Sequence, residues 1–168
     1  MIYRDEYLSP LGKIILAARD DALIGLWFEG QRHFPSAEFF AQSVPGAGGI
    51  LSDTAAWLDA YFSGERIGSE GLCLAPESSE FAKSVWDILC EIPYGQLTSY
   101  GAIAKKLAAR LGRASISAQA VGGAVGRNPI SIIIPCHRVI GSNGSLTGYA
   151  GGLERKRALL RLEGHSSM

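Results

Sequence analysis

The segment Ile130-Ser131-Ile132-Ile133-Ile134, closed by Pro135, constrains the fold more than any other stretch of this chain. An apolar run of that length reads as a buried strand. Pro135 fixes its own backbone angle and biases Ile134 toward extended geometry, so the chain enters the following turn with few alternatives. Cys136 stands in that turn, with His137 beside it. A preorganised thiol next to an imidazole is a nucleophile candidate, although a buried structural cysteine is the commoner use of this residue type.

With 168 residues, 47% of them hydrophobic, the chain can build one core or two small ones. No apolar run reaches membrane-spanning length, and Met1-Ile2-Tyr3-Arg4-Asp5 has no signal-peptide pattern, so a soluble cytoplasmic protein is the expectation. Cys73, Cys90 and Cys136 form no CxxC pair, and His33, His137 and His165 are scattered. Neither a zinc site nor a disulfide framework is suggested, and free thiols suit a reducing compartment. Cys90 falls in the apolar pattern of Val85, Ile88 and Leu89 and reads as core.

Net charge is zero, which argues against a strongly basic nucleic-acid binder, yet the average conceals a division. Residues 1–78 carry 5 Lys+Arg against 11 Asp+Glu, and residues 79–168 carry 11 against 5. Two domains with these bounds are expected, the basic second one being the candidate for phosphate contact.

In the first half, Tyr3 to Leu8, Lys13 to Ala18 and Ala22 to Phe28 are strand-like runs. Pro10-Leu11-Gly12 and Arg19-Asp20-Asp21 punctuate them as turns, predicting three antiparallel strands. Ser52 is a candidate cap for a helix carrying Ala56, Leu58, Tyr61 and Phe62, and Gly64 to Ser79 reads as a linker. No catalytic constellation precedes that linker, so this half is expected to be a scaffold.

The second half reads as mainly helical. Glu80 to Cys90 places Phe81, Val85, Ile88 and Leu89 on one face and ends before Pro93. Ser99 can cap a helix from Tyr100 to about Arg110, which Gly112 stops. Ser117 can cap another, from Ala118 to about Val125. Two short helices joined by a turn containing glycine form a helix-turn-helix pattern, whose second member can enter a groove of DNA. That second helix contains Gly122 and Gly123, each costing about 1 kcal/mol of helix propensity against alanine. Close approach to another backbone, such as that of DNA, would explain them. Further on, Lys156, Leu159, Leu160 and Glu163 recur at one helical face, so the Glu163 carboxylate points inward and requires a buried partner; His137 is the candidate.

Ser99-Tyr100-Gly101-Ala102-Ile103-Ala104, Ala120-Val121-Gly122-Gly123-Ala124, Asn128-Pro129, Ile133 to Val139, Gly148-Tyr149-Ala150-Gly151-Gly152-Leu153 and Leu159 to Gly164 together resemble the O6-alkylguanine-DNA alkyltransferases, the methylated-DNA–protein-cysteine methyltransferases. The likeness is dense over about residues 79 to 164. It is looser upstream, in Leu8 to Gly12 and Ala60-Tyr61-Phe62-Ser63-Gly64.

The resemblance implies an α+β protein, with a ribonuclease H-like N-terminal sheet domain and a helical C-terminal domain bearing a winged-helix-like helix-turn-helix. It also implies direct repair of double-stranded DNA: O6-alkylguanine is flipped from the stack and its alkyl group moves irreversibly to Cys136. O4-methylthymine is a further candidate substrate. On this likeness His137 is the base, acting through a water, Glu163 orients the imidazole, and Asn128 ties down the turn. Tyr100 donates a proton to the leaving guanine. Tyr149, Val139 and Ala150 would wall the pocket, with Lys156 a weaker pocket candidate. Gln119, Ala120, Gly122, Gly123, Arg113, Arg127 and Arg138 would face DNA, Arg127 foremost. A thiolate, not a thiol, attacks carbon, so Cys136 needs help in losing its proton. The thioether product offers water no carbonyl, so one molecule is consumed per lesion, without cofactor or metal, and a monomer suffices.

Two departures stand out. Gln119 occupies a position where relatives carry arginine, removing a charge that would fill the space of the flipped base, and Ala150 stands where some have serine. Modest affinity and a shallow salt dependence follow. The alternatives are a non-catalytic binder of alkylated DNA, a helix-turn-helix regulator and a cysteine hydrolase.

Overall fold

A computed structural model describes residues 1–168. β1 (Ile2–Ser9), β2 (Gly12–Arg19) and β3 (Ala22–Phe28) form the antiparallel meander, joined by tight turns. β2 and β3 are buried along almost their whole length because the sheet is covered on both faces. On one face a small cluster of Ile15, Ala17, Ile24 and Trp27 meets Phe34, Phe39 and Phe40. Phe39 and Phe40 belong to α1 (Ala37–Gln42), capped by Ser36, and the chain then adds a short strand β4 (Ser43–Pro45) parallel to β1. Neither α1 nor β4 announces itself by periodicity.

The other face of the sheet carries the main core. α2 (Gly49–Phe62) contributes Leu58 and Tyr61 to it. Ser52 lies inside α2 rather than at its cap, since Gly48 takes the cap position and the Asp21 carboxylate accepts the N–H of Ile50 at 3.1 Å. The stretch after α2 runs back along β3, where Leu23 donates to Cys73 and accepts from Ala75, both at 2.8 Å.

α4 (Tyr100–Leu111) and α5 (Ala118–Gly126) follow the serine caps read in the sequence, Ser99 and Ser117, and α3 (Glu80–Cys90) is capped by Ser79 in the same way, each serine accepting a backbone N–H of the first turn. Gly112 closes α4 in the left-handed conformation, which releases the chain toward α5. Cys90, at the end of α3, packs half-buried against the core. α6 (Leu153–Leu162) closes the chain, with Lys156, Leu159 and Leu160 inward. The main core draws on both halves of the sequence, from Ile14 and Phe28 to Val121, Val139 and Leu159.

The run Ile130 to Ile134 is not a strand. Its isoleucines are all buried, but only Ile130 makes a bridge, to Leu26 of β3. Leu26 donates to Pro129 at 2.8 Å and accepts from Ser131 at 3.0 Å, after which the chain folds back with Ile134 donating to the Ile130 carbonyl. Ile132 sits at φ +70°, a left-handed conformation that a β-branched side chain rarely adopts. Apolar composition signalled burial here; the conformation is set by side-chain hydrogen bonds instead.

Candidate active site

Asn128 supplies those bonds. Its carbonyl oxygen accepts from Ile130 N–H at 3.0 Å and its amide donates to the Ile134 carbonyl at 2.8 Å, drawing the run into a loop. Cys136–Arg138 then form a single 3-10 turn. Immediately after it, β6 (Val139–Ile140) pairs in parallel with β5 (Thr98–Ser99). That short ribbon ties the start of α4, and hence Tyr100, to the turn that carries the cysteine.

Cys136 is 5% exposed, and it opens on a cavity of about 590 Å³. Tyr100, Tyr149, Ala150, Gln119, Gly122, Gly123 and Arg127 also line this space. The side chains of α5 facing it are minimal: a Cβ on Gly122 would lie 3.7 Å from the Tyr100 ring, and one on Gly123 3.2 Å from the Arg127 guanidinium. Thr147 donates its hydroxyl to the Tyr100 oxygen at 3.0 Å, leaving the Tyr100 proton free for another acceptor. A larger cleft of about 800 Å³, lined by Arg19, Lys83 and Cys90, does not reach Cys136. No group of three His, Cys, Asp or Glu side chains could hold a metal ion, and no helix is long and apolar enough to cross a membrane.

Behind the cysteine lies a buried polar network. His137 is fully buried, and its Nε2 meets Glu163 Oε2 at 2.5 Å. Tyr61, from the first half of the chain, donates to the same oxygen at 2.6 Å. Arg138 Nε donates to Oε1 at 2.7 Å, and the Gly95 N–H approaches it at 3.4 Å. Burial pushes the Glu163 carboxyl up, but the His137 and Arg138 donors outweigh it and hold the group well below its usual range. Burial likewise outweighs the pull of Glu163 on His137 and keeps the imidazole neutral. With Nε2–H given to Glu163, Nδ1 is the free acceptor, and no protein group bonds it.

The thiol itself is not poised as an anion. Burial raises the Cys136 pKa above its ordinary value, while an Asn128 hydrogen bond and the nearby charge of Lys156 pull it partly back. Proton removal therefore has to accompany attack.

Three expected placements change. Arg138, read as a phosphate contact, is buried with its guanidinium on Glu163 and on the Ile92 carbonyl, and cannot reach DNA. Val139 is fully buried behind the cavity rather than on its wall. Lys156 does not line the cavity either: it is wholly buried, and Nζ donates to the carbonyls of Val139 at 2.6 Å and Thr147 at 2.9 Å, bracing the wall from behind. Arg113 and Ala120 are exposed but stand off the cavity. Arg32 and His33, from the first half, do line it.

Comparison with known proteins gives this geometry a family. Residues 80–165 match the profile described as "6-O-methylguanine DNA methyltransferase, DNA binding domain". Residues 2–76 match "6-O-methylguanine DNA methyltransferase, ribonuclease-like domain". The chain belongs to this methyltransferase family. Its relatives include the methylated-DNA--protein-cysteine methyltransferases of Methanosarcina acetivorans, 44% identical over 97% of this chain and 99% of that protein, and of Methanosarcina barkeri, 45% identical over 96% and 97%. Among solved structures, the Mycobacterium tuberculosis OGT in complex with DNA superposes with a TM-score of 0.85 at 42% identity, covering 96% of this chain and 92% of that one. In this chain of that family, Cys136 sits on a buried turn with the His137–Glu163 pair behind it and the cavity in front.

Proposed function

We propose that this protein is a methylated-DNA–protein-cysteine S-methyltransferase that repairs O6-alkylguanine in duplex DNA by moving the alkyl group onto Cys136. The observation that carries the reading is a single one: the only cysteine backed by a buried His-Glu pair also opens on a cavity able to take an extruded purine. The basic second half, 79–168, supplies DNA contact and chemistry, and the first half, 1–78, supports it.

His137 takes the thiol proton at Nδ1, relayed by water, as the sulfur attacks the alkyl carbon. Glu163 stabilises the imidazolium that forms and fixes the tautomer that leaves Nδ1 available. The S–C bond forms as the C–O6 bond breaks, and the electron pair passes to the guanine. Tyr100 donates its proton to the guanine ring and is reprotonated from the imidazolium, so the net transfer is alkyl to sulfur and thiol proton to base. Tyr149 and Ala150 wall the pocket, and Gln119 and Arg127 meet the duplex at its mouth. Nothing near Cys136 can cleave a thioether, so each molecule acts once. Three unpaired thiols suit the reducing cytoplasm, where we place the protein.

Intact-mass measurement after incubation with a duplex holding O6-methylguanine tests this. A gain of one methylene, mapped to Cys136 and abolished by Cys136→Ser with duplex affinity retained, is the expected result. Binding without mass gain would instead identify a non-catalytic reader of alkylated DNA.

A further inference from the structure

The first half of the chain does more than support the second. Gln31 to Phe34 form a β-turn, closed by Phe34 N–H to the Gln31 carbonyl at 3.2 Å, with Arg32 and His33 at its corners. His33 has φ +59°, at a corner where glycine or asparagine is the usual occupant. The turn is held despite this. The buried Gln31 side chain accepts from Phe28 N–H at 2.9 Å and donates to the Arg32 carbonyl at 3.1 Å. Arg32 N–H donates at 2.9 Å to the carbonyl of Ala150, a residue of the cavity wall.

So a strained turn is bolted to the substrate cavity, and it presents two exposed side chains there. The nearest acidic residue in sequence, Glu29, is engaged with Lys13 at 3.2 Å, which leaves Arg32 without a salt bridge. Arg127 lines the same cavity, its guanidinium 3.2 Å from where a Cβ on Gly123 of α5 would stand. A non-glycine residue held in a glycine conformation at a site is a reason to look for function in its side chain.

We propose that Arg32 and His33 form a second DNA contact, in which Arg32 neutralises a backbone phosphate on the opposite side of the extruded nucleotide from Arg127. The two guanidinium groups then clamp the strand on either side of the base that enters the cavity. This rests on the duplex-repair reading above, and it offsets the charge lost at Gln119. His33 reaches the adjoining sugar-phosphate.

The test is equilibrium binding to an undamaged duplex between 50 and 200 mM salt, with melting temperatures recorded for every variant. Each neutralised phosphate contributes about 0.9 to the slope of log affinity against log salt, so Arg32→Ala is expected to lower that slope by about one and to weaken binding on the order of eightfold at 0.1 M. Arg32→Lys restores the slope. Arg19→Ala, a surface arginine paired with Glu77 away from the cavity, leaves it unchanged. His33→Gly relieves the backbone, so its melting temperature is not lowered while duplex affinity falls at least twofold. An unchanged slope in Arg32→Ala, or an equal drop in Arg19→Ala, overturns the clamp. A lower melting temperature with full affinity in His33→Gly overturns the part assigned to His33. If the unaltered protein gains methyl from the lesion duplex while Arg32→Ala binds as it does, the clamp alone fails; if the unaltered protein neither binds nor gains mass, the duplex-repair reading fails with it.

Discussion

Replacing Glu163 by glutamine tests the buried network at its centre. The carboxylate accepts from His137 and Tyr61 on Oε2 and from Arg138 and Gly95 on Oε1. A glutamine amide has one accepting oxygen, so whichever way it turns, its NH2 faces donors. Arg138, buried over the Tyr94 ring, loses its counter-charge in either orientation. Breaking a buried ion pair from one side costs about 3–5 kcal/mol. At roughly 2–4 °C per kcal/mol for a chain of this size, the melting temperature should fall by about 6–20 °C. If the NH2 turns to His137, the imidazole must accept at Nε2 and carry its proton on Nδ1, where it can no longer take one from the thiol. Loss of a general base removes about 10²–10⁴ in rate. The transfer assay, run in single turnover at 15 °C so that the variant stays folded, should show at least a hundredfold loss. The stability gap between parent and variant has a definite pH dependence: Glu163 is held ionised below its ordinary value of 4.5, so its contribution is complete above that pH and drains away as the pH falls further. A variant melting within 2 °C of the parent and transferring within fivefold of its rate would refute this role for Glu163.

Other outcomes follow from neighbouring contacts. Lys156→Met removes the charge that draws the Cys136 thiol down, so transfer at pH 7 should fall about tenfold. Burial brings Lys156 itself down to about 8, so the ammonium is neutral above that pH and the two proteins should converge there; a constant ratio across pH 6.5–9 would reject the electrostatic role. Asn128→Ala loses two buried backbone partners and should cost about 2–4 kcal/mol in denaturant unfolding. It should also slow iodoacetamide alkylation of Cys136, because Asn128 no longer draws the thiol down. Gln119→Arg at the exposed cavity rim should speed transfer from duplex more than from free O6-benzylguanine; equal effects on both would show that it does not act by filling the space of the flipped base.

Local signals carry the helices and hairpins. Ser79, Ser99 and Ser117 cap their helices because a cap needs only its own first turn, and the three-stranded meander follows from turns visible in the chain. What the sequence hides depends on residues distant along it. Ile130 to Ile134 look like a strand until Asn128 is seen to fold them back. Arg138 looks like a surface cation because its partners, Glu163 and Ile92, lie 25 and 46 residues away. Tyr61 reads as an ordinary helix aromatic, with nothing local to reveal a bond spanning 102 residues. The pairing of His137 with Glu163 is legible because the helical period of Lys156, Leu159 and Leu160 forces the carboxylate inward, where it cannot remain alone. Arg32 and His33 carry only a faint cue, a basic pair two residues before Pro35, and their place on the cavity rim shows only in three dimensions.

The seam along β3 bears on what would happen to a severed chain. Leu26 holds Pro129 and Ser131 through main-chain bonds that do not depend on the covalent link near residues 64–79, and oily side chains from either side interleave beneath them. Two fragments cut there should find one another and reconstitute a working molecule when mixed. Either piece by itself would be left with a bare greasy flank and a tendency to clump.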